Sequence, residues 1–277
     1  MSRKSIFILG LILVFVTFNV YLFYSAPEDV NNTRAEEVEY TYSSQELFTI
    51  LAGVNDKTRT LYTKSIVGSG KKAGLKFDEN WELDNVDAGP LPALFLRETS
   101  LLIEKSPVEL GLYLGSDFPI SKANKFEGLQ SKKFQQLKKD ESPQFFFDKA
   151  SKRNVAMFPD FASANACVQC HNNHKQSPKI DWELMDVMGA TTWSISADSL
   201  TTDQLMEYIS VYKNSALDVY SSYLDKVKGF KESEIPSIGD RWPSEGYFLP
   251  NVMTFTDSVD NLISKHLLND IFKTRLP

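Results

Sequence analysis

"ACVQCH", Ala166 to His171, holds both cysteines of the chain, three residues apart, with a histidine directly behind the second. Several chemistries use thiols in such a cluster. A structural zinc ion takes about four ligands. Cys167, Cys170, His171 and His174 could supply four from one loop. However, adjacent Cys170 and His171 are hard to aim at one tetrahedral ion, and structural zinc sites draw on two separated ligand pairs. A redox dithiol opens a helix behind a strand of a βαβ unit, and the upstream "FPDFASANA" (158–166) does not read as a parallel-sheet strand. A plain disulfide over this gap closes a tight ring and stabilises little. Haem c attachment accounts for all three side chains. Each thiol adds to one porphyrin vinyl group, the gap lets both sulfurs reach from one helical turn, and the histidine falls under the iron as proximal ligand. With two cysteines and three histidines in 277 residues, shuffling would place them so about once in 10⁴. One motif implies one covalent haem.

Around this motif the chain reads as a mixture of helices and short strands. Upstream, Gln144–Asp148 and Val155–Phe158 have strand character, with a turn near Lys152-Arg153-Asn154. Downstream comes a polar loop, "NNHKQSPKID" (172–181), and then a strand from Val187 to Ser196. Glu109–Gly115 reads as a further strand. Ser43-Ser44-Gln45-Glu46 resembles a capping box ahead of a helix that keeps its apolar spacing to about Val67 and is broken by Gly68, Gly70 and Gly74. Leu91–Lys105 is a second helix with Pro92 in its first turn, and Lys125–Lys139 is polar and helical. Thr201–Lys228 is a long helix capped by Thr201 or Thr202. A Pro- and Gly-bearing loop over 232–250 separates it from an amphipathic helix, Val252–Phe272. The expected fold class is α+β: a small antiparallel sheet, with helices on one face as the economical arrangement.

The N-terminus sets the compartment. Arg3 and Lys4 precede "IFILGLILVFVTFNVYLFY" (Ile6–Tyr24), and nineteen residues at 1.5 Å rise span about 28 Å, close to a bilayer core. Cleavage after Ala26 would need a small residue at Tyr24 and tolerance of Pro27, so residues 1–26 are expected to be an uncleaved signal anchor. The basic head stays inside. The expectation is a single-pass protein of a bacterial inner membrane with its bulk in the periplasm, the side on which haem c is attached. Residues 27–42, polar and acidic, read as a linker. The haem domain is expected over 43–199, and 200–277 as a C-terminal helical extension. A net charge of −6 argues against nucleic acid as a partner. Hydrophobic residues at 42% and charged residues at 24% are ordinary for a chain that buries a core.

Five blocks resemble the single-haem c-type PAS-like domain family, found as extracytoplasmic sensor modules of bacterial signalling proteins and as free-standing cyanobacterial proteins. "KTRTLYTKSIV" (Lys57–Val67) is similar to its Arg-x-x-Tyr-Thr helix. "GPLPALFLRETS" (Gly89–Ser100) resembles its Pro-bearing second helix. "LGSDFPISKANKFEGLQSKKF" (Leu114–Phe134) is similar to its Ser-Asp-x-Pro-x-x-x-x-Asn segment. "MFPDFASANACVQCHNNH" (Met157–His174) resembles its strand-to-haem junction. "DVMGATTWSIS" (Asp186–Ser196) resembles its closing strand, with Met185 where glycine is usual. The likeness covers about Glu46 to Ser199 and implies a PAS-like sheet around a haem pocket, with Cys167 and Cys170 as the thioethers and His171 on the iron.

Some members of that family place a cysteine in the second helix as sixth ligand. Here Arg97 falls near that place, and arginine does not ligate iron in this way. Either the sixth position is open or another side chain fills it. Arg97 is then a donor to a bound diatomic gas or to a propionate, or else an ordinary ion-pair partner of Glu98 or Glu104. Met157, Met185 and Met188 flank the pocket strands, and Met157 and Met188 are carried as candidate sixth ligands or plain packing residues. His174 is too close to His171 to reach the other haem face. His266 lies on or beside the apolar stripe of the last helix (Phe255, Val259, Leu262, Ile263, Leu267), as packing or as a ligand. Three functions follow. The first is a tethered redox or gas sensor, which must signal to a separate partner because only four residues precede the anchor. The second is an anchored monohaem electron carrier. The third, haem catalysis, lacks a recognisable distal acid–base pair.

Overall fold

The computed structural model describes residues 3–25, 40–240 and 248–275. They form two units, Met1–Tyr40 and Thr41–Pro277. In the first, α1 (Arg3–Ser25) begins with Arg3 and Lys4 and is predominantly apolar beyond them, with its large side chains exposed. Among the described residues it is the one helix long and apolar enough to cross a membrane or to serve as a signal sequence. Ala26, the last residue of the expected uncleaved anchor, and linker residues 27–39 lie outside the described residues.

The second unit begins with β1 (Thr41–Ser43), so the end of the expected linker is a strand. It leads into α2 (Ser44–Leu61), which continues through a π-helical stretch, Tyr62–Gly68, into α3 (Ser69–Lys72). The expected break at Gly68 and Gly70 does not occur; the chain turns at Gly74, whose φ of 102° suits glycine. Next come β2 (Phe77–Asp78) and β3 (Gly89–Pro90), paired in parallel, and α4 (Pro92–Glu104). Then follow β4 (Gly111–Gly115), α5 (Gly128–Asp140), β5 (Gln144–Asp148), β6 (Arg153–Phe161), α6 (Asn165–Asn173), β7 (Val187–Ile195), β8 (Ser199–Thr201) and α7 (Thr202–Val227). The expected loop over 232–250 contains β9 (Ser237–Gly239) and β10 (Phe248–Pro250), paired in parallel before α8 (Val252–Arg275).

Both long helices start from one ribbon. β1 and β8 pair antiparallel, Ser43 opposite Ser199 and Thr41 opposite Thr201. Ser43 caps α2: its Oγ accepts from Glu46 N at 3.3 Å, and its own N–H donates to Glu46 Oε2 at 2.8 Å. Thr201 caps α7 in the same way with Gln204. Each box satisfies two N–H groups that a helix end leaves orphaned.

The main sheet has four antiparallel strands in the order β4-β7-β6-β5. Its two faces follow strand parity. Leu112, Ala156, Trp193 and Ile195 join one large core with Leu47 and Leu51 of α2, Phe95 of α4 and Tyr212 of α7. Met157 and Ala190 face the other way, against Phe126 and against Phe134 and Leu137 of α5. Helices therefore cover both faces rather than one. α5 is polar overall, and two buried side chains with Phe126 suffice to seat it.

Residues 202–275 are not set apart from the main sheet and belong to the same compact unit. α7 buries Leu205, Ile209, Tyr212, Val219, Tyr220 and Tyr223, and α8 buries Phe255, Val259 and Ile263, all within that large core. Tyr220 lies 4.1 Å from Phe255, ring to ring, and its hydroxyl donates to Pro250 O at 2.7 Å. Phe255→Ala is expected to destabilise the whole second unit by about 3–5 kcal/mol. Denaturant unfolding followed by circular dichroism and Trp fluorescence should show one shifted transition; early loss of α8 alone would contradict a shared core.

Candidate functional site

β6 ends in an irregularity that aims the chain out of the sheet. Asp160 pairs with Gly189, but Phe161 pairs with Val187. Met188 is therefore an extra residue on β7, a β-bulge of the kind that re-aims side chains at sheet rims. Ala162 N donates to Asp186 O at 2.8 Å, and Met185 N to Ala162 O at 3.0 Å. These bonds close the base of an excursion over 163–184 that contains α6.

α6 spans nine residues and has no side-chain N-cap. It is clamped at its other end. Asn172 Nδ2 donates to Trp182 O, and Trp182 N donates back to Asn172 Oδ1, both at 2.9 Å. The Trp182 ring meets Phe118 edge-on, and Lys179 Nζ lies 4.5 Å above it. Just past α6, His174 Nδ1 accepts from Gln176 N, so Nε2 carries the proton and faces Glu79 Oε2, both at 3.1 Å.

Cys167, Cys170 and His171 stand at i, i+3 and i+4 on this helix and so share one face. Both sulfurs are free; Cys167 is half-buried and Cys170 exposed. Partial burial pushes the Cys170 thiol up, Glu79 adds to this, and Lys71 opposes it. The His171 imidazole is pulled below its ordinary value by burial, then by His174, with Asp160 opposing. It is therefore neutral at neutral pH, the state a metal ligand needs. Its Nδ1 is buried without a hydrogen-bond partner. Among the described residues, no three His, Cys, Asp or Glu side chains converge on a point that could hold a bare metal ion.

A half-buried charge pair joins α2 to β6. Arg59 of α2 forks onto Asp160 of β6, Nη1 to Oδ1 at 3.2 Å and Nη2 to Oδ2 at 3.5 Å, and Nη1 also reaches Thr191 Oγ1 at 3.4 Å. Burial works against the guanidinium charge, but the Asp160 carboxylate outweighs it and holds the group above its ordinary value. The sequence blocks contained both residues without giving either a role. The available signal was Arg59 itself, a charge set among the buried positions Val54, Asn55, Thr58 and Tyr62.

The remaining candidates are dispersed. Arg97 is 59% exposed, with Nε 3.9 Å from Glu98 Oε1, which is the surface-pair option. Met157 is fully buried in the α5 cluster, on the sheet face opposite Asp160. Met188 is half-buried at the bulge, and its carbonyl accepts from Ser116 Oγ. Met185 is exposed, with a φ of +72°. The His266 ring packs on the backbone of Gly53, so close that an added Cβ would lie 2.0 Å from Nε2. It thus serves as packing between α8 and α2.

A family model, Tll0287-like, matches residues 33–196. That is more than half of the chain, and the protein belongs to this cyanobacterial haem-binding PAS-like family. No curated protein and no solved structure matches it.

Met185 holds a left-handed backbone, a conformation that glycine adopts at no steric cost. Met185→Gly is expected to raise stability by about 1 kcal/mol through relief of that strain, the exposed side chain giving up little packing. Urea titration measures it; a loss of stability would show that Met185 makes a contact worth more than the strain.

Proposed function

We propose that one haem is held covalently by thioethers from Cys167 and Cys170, with His171 as axial ligand, in a body tethered outside a bacterial inner membrane. The observation that carries this reading is the placement of two free thiols and a neutral imidazole on one face of α6. The residues fit the group: the sulfurs sit one helical turn apart, and His171 has an enclosed ring nitrogen in want of a partner. When bound, the haem supplies one-electron redox chemistry and an iron that can take a diatomic gas. The chain's own part is to fix the imbalance of its two sides. α6, the Asn172–Trp182 clamp and the bulge hold the proximal ligand in place, while nothing from α4 is committed to the other side, since Arg97 is engaged at the surface.

The four-stranded order supports a PAS-like sheet, with its first and last strands adjacent at the centre-to-edge step and α5 inserted between the first and second. We read the protein as a sensor of redox state or of a diatomic gas that hands its signal to a separate membrane partner. α1, with Arg3 and Lys4 at its start, supports the tether and its orientation. Met188, at the bulge, is the methionine best placed to serve as a weak sixth ligand. Exposure of Cys170 favours a second reading, an anchored electron carrier with its haem edge at the surface.

Whole-protein mass spectrometry of material matured with haem c is expected to show one haem per chain. Cys167→Ser and Cys170→Ser should each leave a single thioether, and the double substitution should lose covalent haem; bare thiols in the unaltered protein would overturn the assignment. Carbon monoxide is expected to shift the Soret band of the reduced protein, as an open or weakly held sixth position requires. An unchanged spectrum would remove gas sensing and leave the electron carrier.

A further inference from the structure

The edge of a sheet carries a row of unpaired backbone N–H and C=O groups, and such a row is a template for another strand. β5 (Gln144–Asp148) is an edge of the main sheet. Among the described residues, no backbone bond reaches it from any element but β6. Its sequence, Gln-Phe-Phe-Phe-Asp, has no proline, lysine or bulge to blunt the edge. Phe145 and Phe147 lie opposite Ala156 and Asn154, on the α2 side. Phe147 is 49% exposed there. Beside both rings is a groove of about 130 Å³, walled by Ser44, Gln45 and Phe48 of α2.

The two ends of β5 differ in charge. Asp140 and Glu141 precede it, and Lys149 and Lys152 follow it. All four are exposed, and none forms an ion pair among the described residues. Glu141 and Lys152 hold left-handed backbone, φ 48° and 56°, where glycine would fit at no steric cost. The chain keeps a charged side chain at each.

A second copy of the strand fits this edge. In an antiparallel pair centred on Phe146, every residue meets one of the same parity, so the outward backbone groups of the two strands face each other. Phe145 then opposes the second copy's Phe147 on one face. Phe146 opposes its counterpart on the other face, and Gln144 opposes Asp148. The half-exposed Phe147 of each copy is directed to the groove beside the other's Phe145. Past the strand ends, Lys149 and Lys152 of each copy come alongside Glu141 and Asp140 of the other. The two-fold axis makes each of these contacts twice.

We propose that the protein self-associates through β5, joining two four-stranded sheets into one continuous sheet. A second copy is the occupant because the aromatic and the charged positions match in the same register. The proposal does not depend on the haem reading.

The test is sedimentation equilibrium of the full chain in density-matched detergent over a range of concentrations. A monomer–dimer equilibrium is expected. Lys149→Glu with Lys152→Glu should weaken it about tenfold, since attractions become repulsions on both sides of the axis. Asp140→Lys with Glu141→Lys should do the same. All four changes together should restore the dissociation constant to within about threefold. Each left-handed position receives a residue type that the other already holds, and circular dichroism checks each fold. A monomer at every concentration overturns the proposal. So does association that the charge changes leave unmoved, which would place the contact elsewhere, α1 included, and so does failure of the fourfold variant to recover. Hydrogen–deuterium exchange of the unaltered chain reads the edge without any variant: the amides of residues 145–148 should slow as monomer gives way to dimer. Slow exchange already in the monomer would mean that another part of this chain covers the edge, and unchanged exchange in the dimer that β5 is not the contact. Either result overturns the proposal.

Discussion

One face of the four-stranded sheet has to be roofed by two helices that begin at the same place. β1 and β8 pair, each runs directly into a capped helix, and α2 and α7 therefore leave the ribbon together. Trp193 is wholly buried, its ring 5.8 Å from that of Tyr212. Tyr212 in turn donates to Asn55 of α2 at 3.1 Å. Sheet, α2 and α7 thus meet around a few large side chains. Once α2 is fixed there, Arg59 faces the sheet. A charge in such a place costs several kcal/mol unless it is paired, and β6 supplies Asp160 for it. The ion pair follows from the layer packing and ends up beside the motif helix.

Nine residues do not make a stable helix in water by themselves. α6 lacks a capping side chain, so tertiary bonds must define it. They act at both ends: the Ala162–Asp186 and Met185–Ala162 pair at its base, and the reciprocal Asn172–Trp182 amide bonds at its far end. Between these ties the helix presents one face on which Cys170 is exposed while Cys167 and His171 are half-buried.

Much of this was legible in the residues. The Cys-x-x-Cys-His spacing marked the candidate site, Ser43 and Thr201 announced their helices, Pro92 opened α4, and the strands around the motif fell where their β-branched and aromatic residues indicated. Three-residue strands such as β1 and β8 are too short to show a period, so their pairing, and with it the common origin of α2 and α7, was hidden. The burial of α7 and α8 in the core beneath the main sheet was hidden too, because an amphipathic stripe says that a helix packs and not what it packs on. The Arg59–Asp160 contact joins positions 101 residues apart, and no local pattern reports such a meeting.

Strand parity also decides which β6 side chains share a face. Met157 and Asp160 are an odd number of residues apart, so on an unbroken strand they point to opposite faces. The Met157 and Asp160 side chains therefore exclude one another on the α2 side. The pairing of Met157 with Thr192 and of Asp160 with Gly189 fixes the choice. A slip of one residue would carry Met157 over to α2 but would take Ala156 and Phe158 out of the large core and leave Arg59 without its carboxylate. The bulge at Met188 comes after this stretch and leaves its register intact. It changes direction only where the chain leaves for α6, so Asp160 is the last β6 side chain before the bulge and, among the strand's residues, the nearest in sequence to the motif on the face that Arg59 shares.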